Sequence, residues 1–332
     1  MDISILRTIL PGDLALVATQ VGVLFALMAV GAVCRRTRLL DDAAVRGIVN
    51  VLVLVVTPAL IVHCFQRDFD PSKLAALGTA FGIAFAAHLA LIAAATLLMR
   101  TPAADTRCVL RLATVFSNAG FMGIPLENAL FGPDGVFYGV VYVVVFNVMM
   151  WSWGFCTMKG VDIRRLGRAQ LLTVLVNPGT VGIALGLPLF LGSVRLPEVV
   201  GRPVAFLSDL NTPLAMLVIG YHLAGARLGP VLRSGGAYLA AAIRLVVYPL
   251  LLLAALYPLR AHLDATMACA LVTAASAPVA AMVSMFAAKF DRDVDMSVGL
   301  VSGTTLLSIV TMPAVIALAM ALLGFAPRAG MC

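Results

Sequence analysis

The chain has 332 residues, 62% of them hydrophobic and only 12% charged, with a mean hydropathy of +1.04. Soluble domains carry roughly a quarter charged residues, so this composition excludes a water-soluble globule and reads as an all-α polytopic membrane protein. The net charge of +7, from 23 Lys and Arg against 16 Asp and Glu, lies in short loops between apolar runs; that is the pattern of membrane topology, and no basic face with interleaved aromatics points to nucleic acid.

At roughly 20 residues per crossing, the apolar runs predict ten transmembrane helices, at about 13–34, 45–65, 74–99, 108–130, 136–158, 174–193, 203–225, 236–258, 265–288 and 296–324. The first run is followed, not preceded, by Arg35, Arg36 and Arg38, so it is read as a span and not as a secretory signal. The second span carries Thr57-Pro58-Ala59-Leu60.

The fourth span holds the stretch around which the chain is organised, Phe116 to Glu127. Pro125 has no N–H and its ring collides with the carbonyl four residues back, so a break is expected there; Gly120 and Gly123 loosen the same turn. Backbone groups freed in hydrocarbon must be satisfied inside the protein or line a cavity. The segment is therefore a binding-site candidate, with a plain proline kink as the competing reading.

The fifth span has a lone amide, Asn147, and a short basic loop over 159–173 follows it. The seventh span carries Asp209 and Thr212-Pro213-Leu214-Ala215, the eighth Arg244, and the ninth Ser276-Ala277-Pro278-Val279. Pro58 and Pro125 are 67 residues apart (125 − 58), Pro213 and Pro278 65 (278 − 213). This matching predicts two five-helix repeats, 1–158 and 174–326. Because five is odd, the second is inverted, with broken fourth and ninth helices that cross. Paired broken helices in inverted repeats are the pattern of secondary transporters, which hold substrate near the midplane.

Assigning loops alternately places 15 Lys and Arg on one side and 7 on the other. The positive-inside rule then puts both termini outside, in what is expected to be a bacterial inner membrane. The six cysteines are scattered, without metal-ligand or disulfide spacing, and His63, His88 and His222 stand alone. No cofactor is expected, and no G-x-x-x-x-G-K-[ST] loop implies ATP. Trp151 and Trp153 are expected as interfacial aromatics near the inner end of the fifth span.

Asn118-Ala119-Gly120-Phe121-Met122-Gly123-Ile124-Pro125-Leu126 is similar to the fourth-span signature of the auxin efflux carrier family of permeases, whose members include plant auxin carriers and bacterial permeases for malate or malonate. Asp209 to Gly220, Ala277-Pro278 with Ala288-Lys289, and Ser302 to Pro313 extend the resemblance over the whole chain. It implies transport by alternating access of the elevator type. Spans 3–5 and 8–10 would be the moving part, spans 1, 2, 6 and 7 a scaffold that contacts a second copy in a homodimer. It also implies that Asn118 contacts a substrate carboxylate, as the matching Asn does in plant relatives. The long loop of the plant carriers is absent.

Helix N-termini restarting after each break carry unpaired N–H groups and partial positive charge, which suits a carboxylate. The expected substrate-binding residues are Asn118, Gly120, Gly123, Pro125, Asn147, Ser276, Pro278 and Arg244. Asn118 has a second reading, tying up carbonyls freed by Pro125. Arg244 either snorkels to the inner surface or serves as a counter-charge. Glu127 and Asp209 are candidates for ion or proton coupling, with anchoring of the outer end (Glu127) and capping of the helix at Pro213 (Asp209) as the structural readings. The leading function is a secondary transporter of small organic anions among membrane lipid. The alternatives are a sodium- or proton-coupled carrier of the same architecture and a membrane sensor that binds without transport. No hydrolase motif supports an enzyme.

Overall fold

The computed structural model describes residues 3–162, 176, 178–226 and 228–325, without the side chains of 3–11 and 13. Most of the expected basic loop over 159–173 lies outside the described residues.

Twelve helices organise the described chain. They are α1 (Ile3–Arg36), α2 (Asp42–Cys64), α3 (Pro71–Leu98), α4 (Ala104–Val115), α5 (119–131), α6 (133–159), α7 (Pro178–Leu191), α8 (Glu198–Ala224), α9 (Gly235–Leu259), α10 (Ala265–Ser276), α11 (Ala281–Lys289) and α12 (Val294–Leu323). Polar loop residues set several starts. Asp41, Asp70, Asp264 and Asp293 accept from the backbone N–H of Ala44, Ser72, Met267 and Met296 at 2.7, 2.8, 2.9 and 3.1 Å, which satisfies donors that a helix cannot pair internally.

Among the described residues seven helical stretches are long and apolar enough to cross a bilayer. The chain is an integral membrane protein. Ten expected spans map onto seven long stretches for identifiable reasons. The fourth and ninth spans are cut in two: α4 and α10 have 12 residues each, or about 18 Å at 1.5 Å per residue, short of a hydrocarbon core of about 30 Å. The fifth is continuous with the end of the fourth in one 41-residue stretch, Ala119–Lys159. Gly132 splits that stretch, at φ 65° and ψ −156°, a conformation open to glycine, and Pro133 begins the return. The sixth is described only as the 14-residue α7.

The prolines act differently from expectation. Pro58, Pro125 and Pro249 each follow, two residues on, a π-helical turn: Leu52–Val56, Ala119–Gly123 and Ile243–Val247. Widening the turn moves the carbonyl that the ring would strike and absorbs the missing N–H. Pro125 therefore lies in the first turn of a continuing helix. The break falls upstream, at Phe116, Ser117 and Asn118, where Phe116 is extended at φ −101°, ψ 111°. In the second half the break does fall at the proline, over residues 277–280, with Ala277 at φ −62°, ψ 147°.

α1 packs on α8 and α12, and α2 on α7 and α8; α10 packs on α5–α6 and α12, and α3 on α4 and α6. Across the cavity described next, α2, α7 and α8 face α5, α6 and α11.

Candidate functional site at the crossing

The two breaks meet. Ser117 and Val279 face each other as an antiparallel bridge: Asn118 N–H donates to the Pro278 carbonyl at 2.7 Å and Ala280 N–H to the Phe116 carbonyl at 2.9 Å. A third amide, Val279 N–H, donates to Thr304 Oγ1 at 3.1 Å, and that hydroxyl donates to the Leu300 carbonyl at 2.7 Å. The expectation of bare amides is thus corrected: those of residues 118, 279 and 280 at the crossing are paired. The first turns of α5 and α11 add the N–H groups that every helix start leaves without an intrahelical partner.

Those first turns border a cavity of about 330 Å³. On one side it is lined from α2 by Thr57, Leu60 and Ile61 and from α7 and α8 by Gly179 and Asn211. On the other side stand Gly120 and Phe121 of α5, Asn147 and Trp151 of α6, and Ala281 and Met282 of α11, with Ser117 and Asn118 at the crossing itself. The lining contains no charged side chain among the described residues. Its polar groups are neutral amides and hydroxyls. Asn118 is 6% exposed and caps no backbone N–H with its side chain. The Ser117 hydroxyl is buried without a hydrogen-bond partner among the described residues. Asn147 Nδ2 donates to the Val143 carbonyl of its own helix at 3.0 Å, not across to a neighbour, and this orients the amide at the cavity wall.

Of the expected substrate-binding residues, the cavity brings together Asn118, Gly120 and Asn147. Gly123 instead packs on α10, where a Cβ would stand 3.5 Å from Ala274 Cα. Pro125 is buried in α5 outside the lining. Ser276 donates to the Thr273 carbonyl at 2.8 Å, and Pro278 contributes its carbonyl to the crossing rather than to the cavity.

Arg244 neither snorkels nor lines the cavity: its side chain is fully buried. The guanidinium donates to the Val115 carbonyl at 2.8 Å, to that of Thr114 at 3.4 Å, and to that of Ala275, and lies 4.6 Å over the Tyr248 ring. These carbonyls are the C-terminal ends of α4 and α10, the two helices that stop at the crossing. Each such end carries roughly half a negative charge, so the two together match one guanidinium. That explains how a cation is buried without a carboxylate. With the negative ends neutralised on one side, the positive N-terminal ends of α5 and α11 are left uncancelled on the other.

The coupling candidates separate. Asp209 is exposed at the end of the first part of α8 and caps nothing. The interruption there is the single residue Leu210, still right-handed helical at φ −70°, ψ −15°; Leu214 N–H bonds the Leu210 carbonyl at 3.1 Å, so no donor is left for a carboxylate. Glu127 is fully buried and so does not anchor an outer end. Trp151 lines the cavity and packs edge-on against Phe286 at 5.1 Å, with Lys289 Nζ 5.6 Å over its ring.

Sequence reasoning missed Ser117, Asn211, Thr57 and Thr304. Ser117 and Asn211 each stand next to a residue it did single out, and a polar residue flanking a break in an apolar span was the available signal.

A family profile described as membrane transport protein matches residues 16–316. The chain belongs to this family of membrane transport proteins, the auxin efflux carrier family that its fourth-span residues resemble. A search of curated proteins found no match to the chain.

Proposed function

We propose that the chain is a secondary transporter of small organic anions, monocarboxylates or dicarboxylates, held at the crossing by Asn118, Ser117 and the first-turn amides of α5 and α11. The observation that carries this reading is the convergence of two helix N-termini and unengaged Ser117 and Asn118 side-chain groups on one cavity, with the opposing C-termini neutralised by Arg244. Oriented donors and partial positive charge favour an anion there without a cation in the wall. The volume of about 330 Å³ sits at the small end of the roughly 300–1,000 Å³ typical of ligand pockets, which suits a small acid.

The antiparallel pairing of the breaks supports ten crossings in two inverted halves, since segments entering from opposite faces meet head to head. The cavity is walled by α2, α7 and α8 on one side and by α5, α6 and α11 on the other, which supports the division an elevator needs. By the positive-inside rule the side of Arg36, Lys159 and Lys289 is cytoplasmic.

Uptake of a panel of radiolabelled mono- and dicarboxylates into proteoliposomes tests the reading. Saturable uptake of one or more acids, lost in Asn118→Ala at unchanged protein yield, is the expected result. No uptake of any acid, or wild-type uptake in that variant, overturns it.

A further inference from the structure

Among the described residues Glu127 is the one acidic side chain that is buried. It lies nine residues after Asn118 on α5 (127 − 118), about 13 Å along the helix. Both carboxyl oxygens are buried, and neither has a hydrogen-bond partner among the described residues. The fit around them is tight. Oε1 lies 3.6 Å from where a Gly123 Cβ would stand, and a Cβ at Gly139 would overlap the carboxyl itself. α6 passes Glu127 with bare backbone, and Ala274 of α10 closes in on Gly123. Hard cations take several oxygen ligands, and here carbon lies against the group on both sides.

No charged or titratable group of the surrounding helices, His63 of α2 included, bonds the Glu127 carboxyl among the described residues. Arg67 and Lys73 are paired with Asp134 at 2.5 and 2.9 Å. Tyr138 bonds Asp264 at 3.4 Å. His88 Nδ1 bonds the Ala84 carbonyl at 2.8 Å, and its ring packs on Tyr142 at 4.8 Å. Arg244 is held by backbone carbonyls, and Arg35, Tyr221 and His222 gather with Asp42. The cysteines on these helices are Cys64, Cys156 and Cys269, with Cys34 beside Arg35; none bonds the carboxyl. An ionised carboxylate without partner or water is strongly disfavoured in such surroundings.

A second cavity, about 720 Å³ and polar, is lined by Cys64, Gln66, Arg67, Lys73, Asp134 and Arg195. Glu127 lines neither cavity. It stands on the stretch that runs from one to the other, nine residues after Asn118 (127 − 118) and seven before Asp134 (134 − 127).

We propose that Glu127 is a proton-binding site of the carrier, filled in this conformation and emptied into the polar cavity when α5 and α6 move away from α2. The step is a simple proton transfer: the carboxyl O–H bond breaks, the electron pair stays on the carboxylate, and the proton passes to water. Filling the site favours the closed arrangement, so raising the pH opposes it. This inference rests on the anion-carrier reading for its consequence, the coupling of acid transport to protons, but the protonation itself is tested independently of any substrate.

Infrared difference spectra of purified wild type against Glu127→Gln supply that test. A protonated-carboxyl C=O band at neutral pH, absent from Glu127→Gln and shifted in Glu127→Asp, is the expected result; only an ionised-carboxylate signal for Glu127 overturns the proposal. In proteoliposomes, wild-type exchange of the transported acid is expected to fall at least fivefold as the pH on both sides is raised, and the profile of Glu127→Gln to be flat. The same pH dependence in that variant, or acceleration by a sodium gradient alone, overturns the coupling. If no acid moves in wild type, the carrier reading falls while the infrared band still decides Glu127.

Discussion

Arg244→Met removes the clamp that joins both stopped helices. Arg244 is fully buried and serves carbonyls of α4 and α10, so the substitution strands the Val115 and Ala275 acceptors, at roughly 1–3 kcal/mol each, and loses the longer contact to Thr114. It also leaves two helix C-termini without their counter-charge, at roughly 0.3–1 kcal/mol each. Methionine refills part of the volume with apolar contacts, and the net loss expected is about 3–5 kcal/mol, the range for breaking a buried ionic arrangement from one side. At about 2 °C per kcal/mol for a chain of this size, the melting temperature in detergent falls by about 6–10 °C, read by size-exclusion after heating. Arg244→Lys keeps the charge but not the planar fork that reaches two helices at once, so its loss is intermediate. A melting temperature within about 2 °C of wild type for Arg244→Met refutes the clamp and the charge matching built on it.

Three further outcomes follow from the same geometry. Gly139→Ala places a methyl where the Glu127 carboxyl lies and lowers thermal stability by about 1–3 kcal/mol; Glu127→Ala in the same chain restores part of it, and additive effects would show that the two do not touch. Thr304→Val orphans the Val279 N–H, a loss of about 1–3 kcal/mol in the same melting assay. Ser117→Ala deletes a hydroxyl that has no partner among the described residues. It leaves melting unchanged while raising the KM for the transported acid about fivefold, the equivalent of about 1 kcal/mol; an unchanged KM removes Ser117 from the site.

Sequence patterns carried the large features and misplaced the local ones. Apolar runs and loop charge identified a membrane protein because burial in lipid constrains every residue of a span. The family followed from the Asn118 to Leu126 motif. The position of the first break was misread, because proline chemistry pointed to Pro125 while the chain widens into a π turn at Ala119–Gly123 and bends at Phe116–Asn118 instead. Nothing local marks that choice: the extended residues are held by partners more than a hundred residues away, at Pro278 and Ala280. Arg244 was likewise ambiguous, since its partners are carbonyls of two distant helices and leave no complementary charge to find. Glu127 needed Gly139, twelve residues on (139 − 127), and that pairing exists only because Gly132 turns the chain back.

The anion site at the crossing is tested most directly by equilibrium binding of the transported carboxylate to purified protein, read through Trp151, which stands in the cavity wall. Loss of a hydrogen bond to a charged group is expected to cost about 1.5–3 kcal/mol, or roughly a 10- to 150-fold rise in Kd, in Asn118→Ala. Binding to that variant with the wild-type Kd would contradict the account.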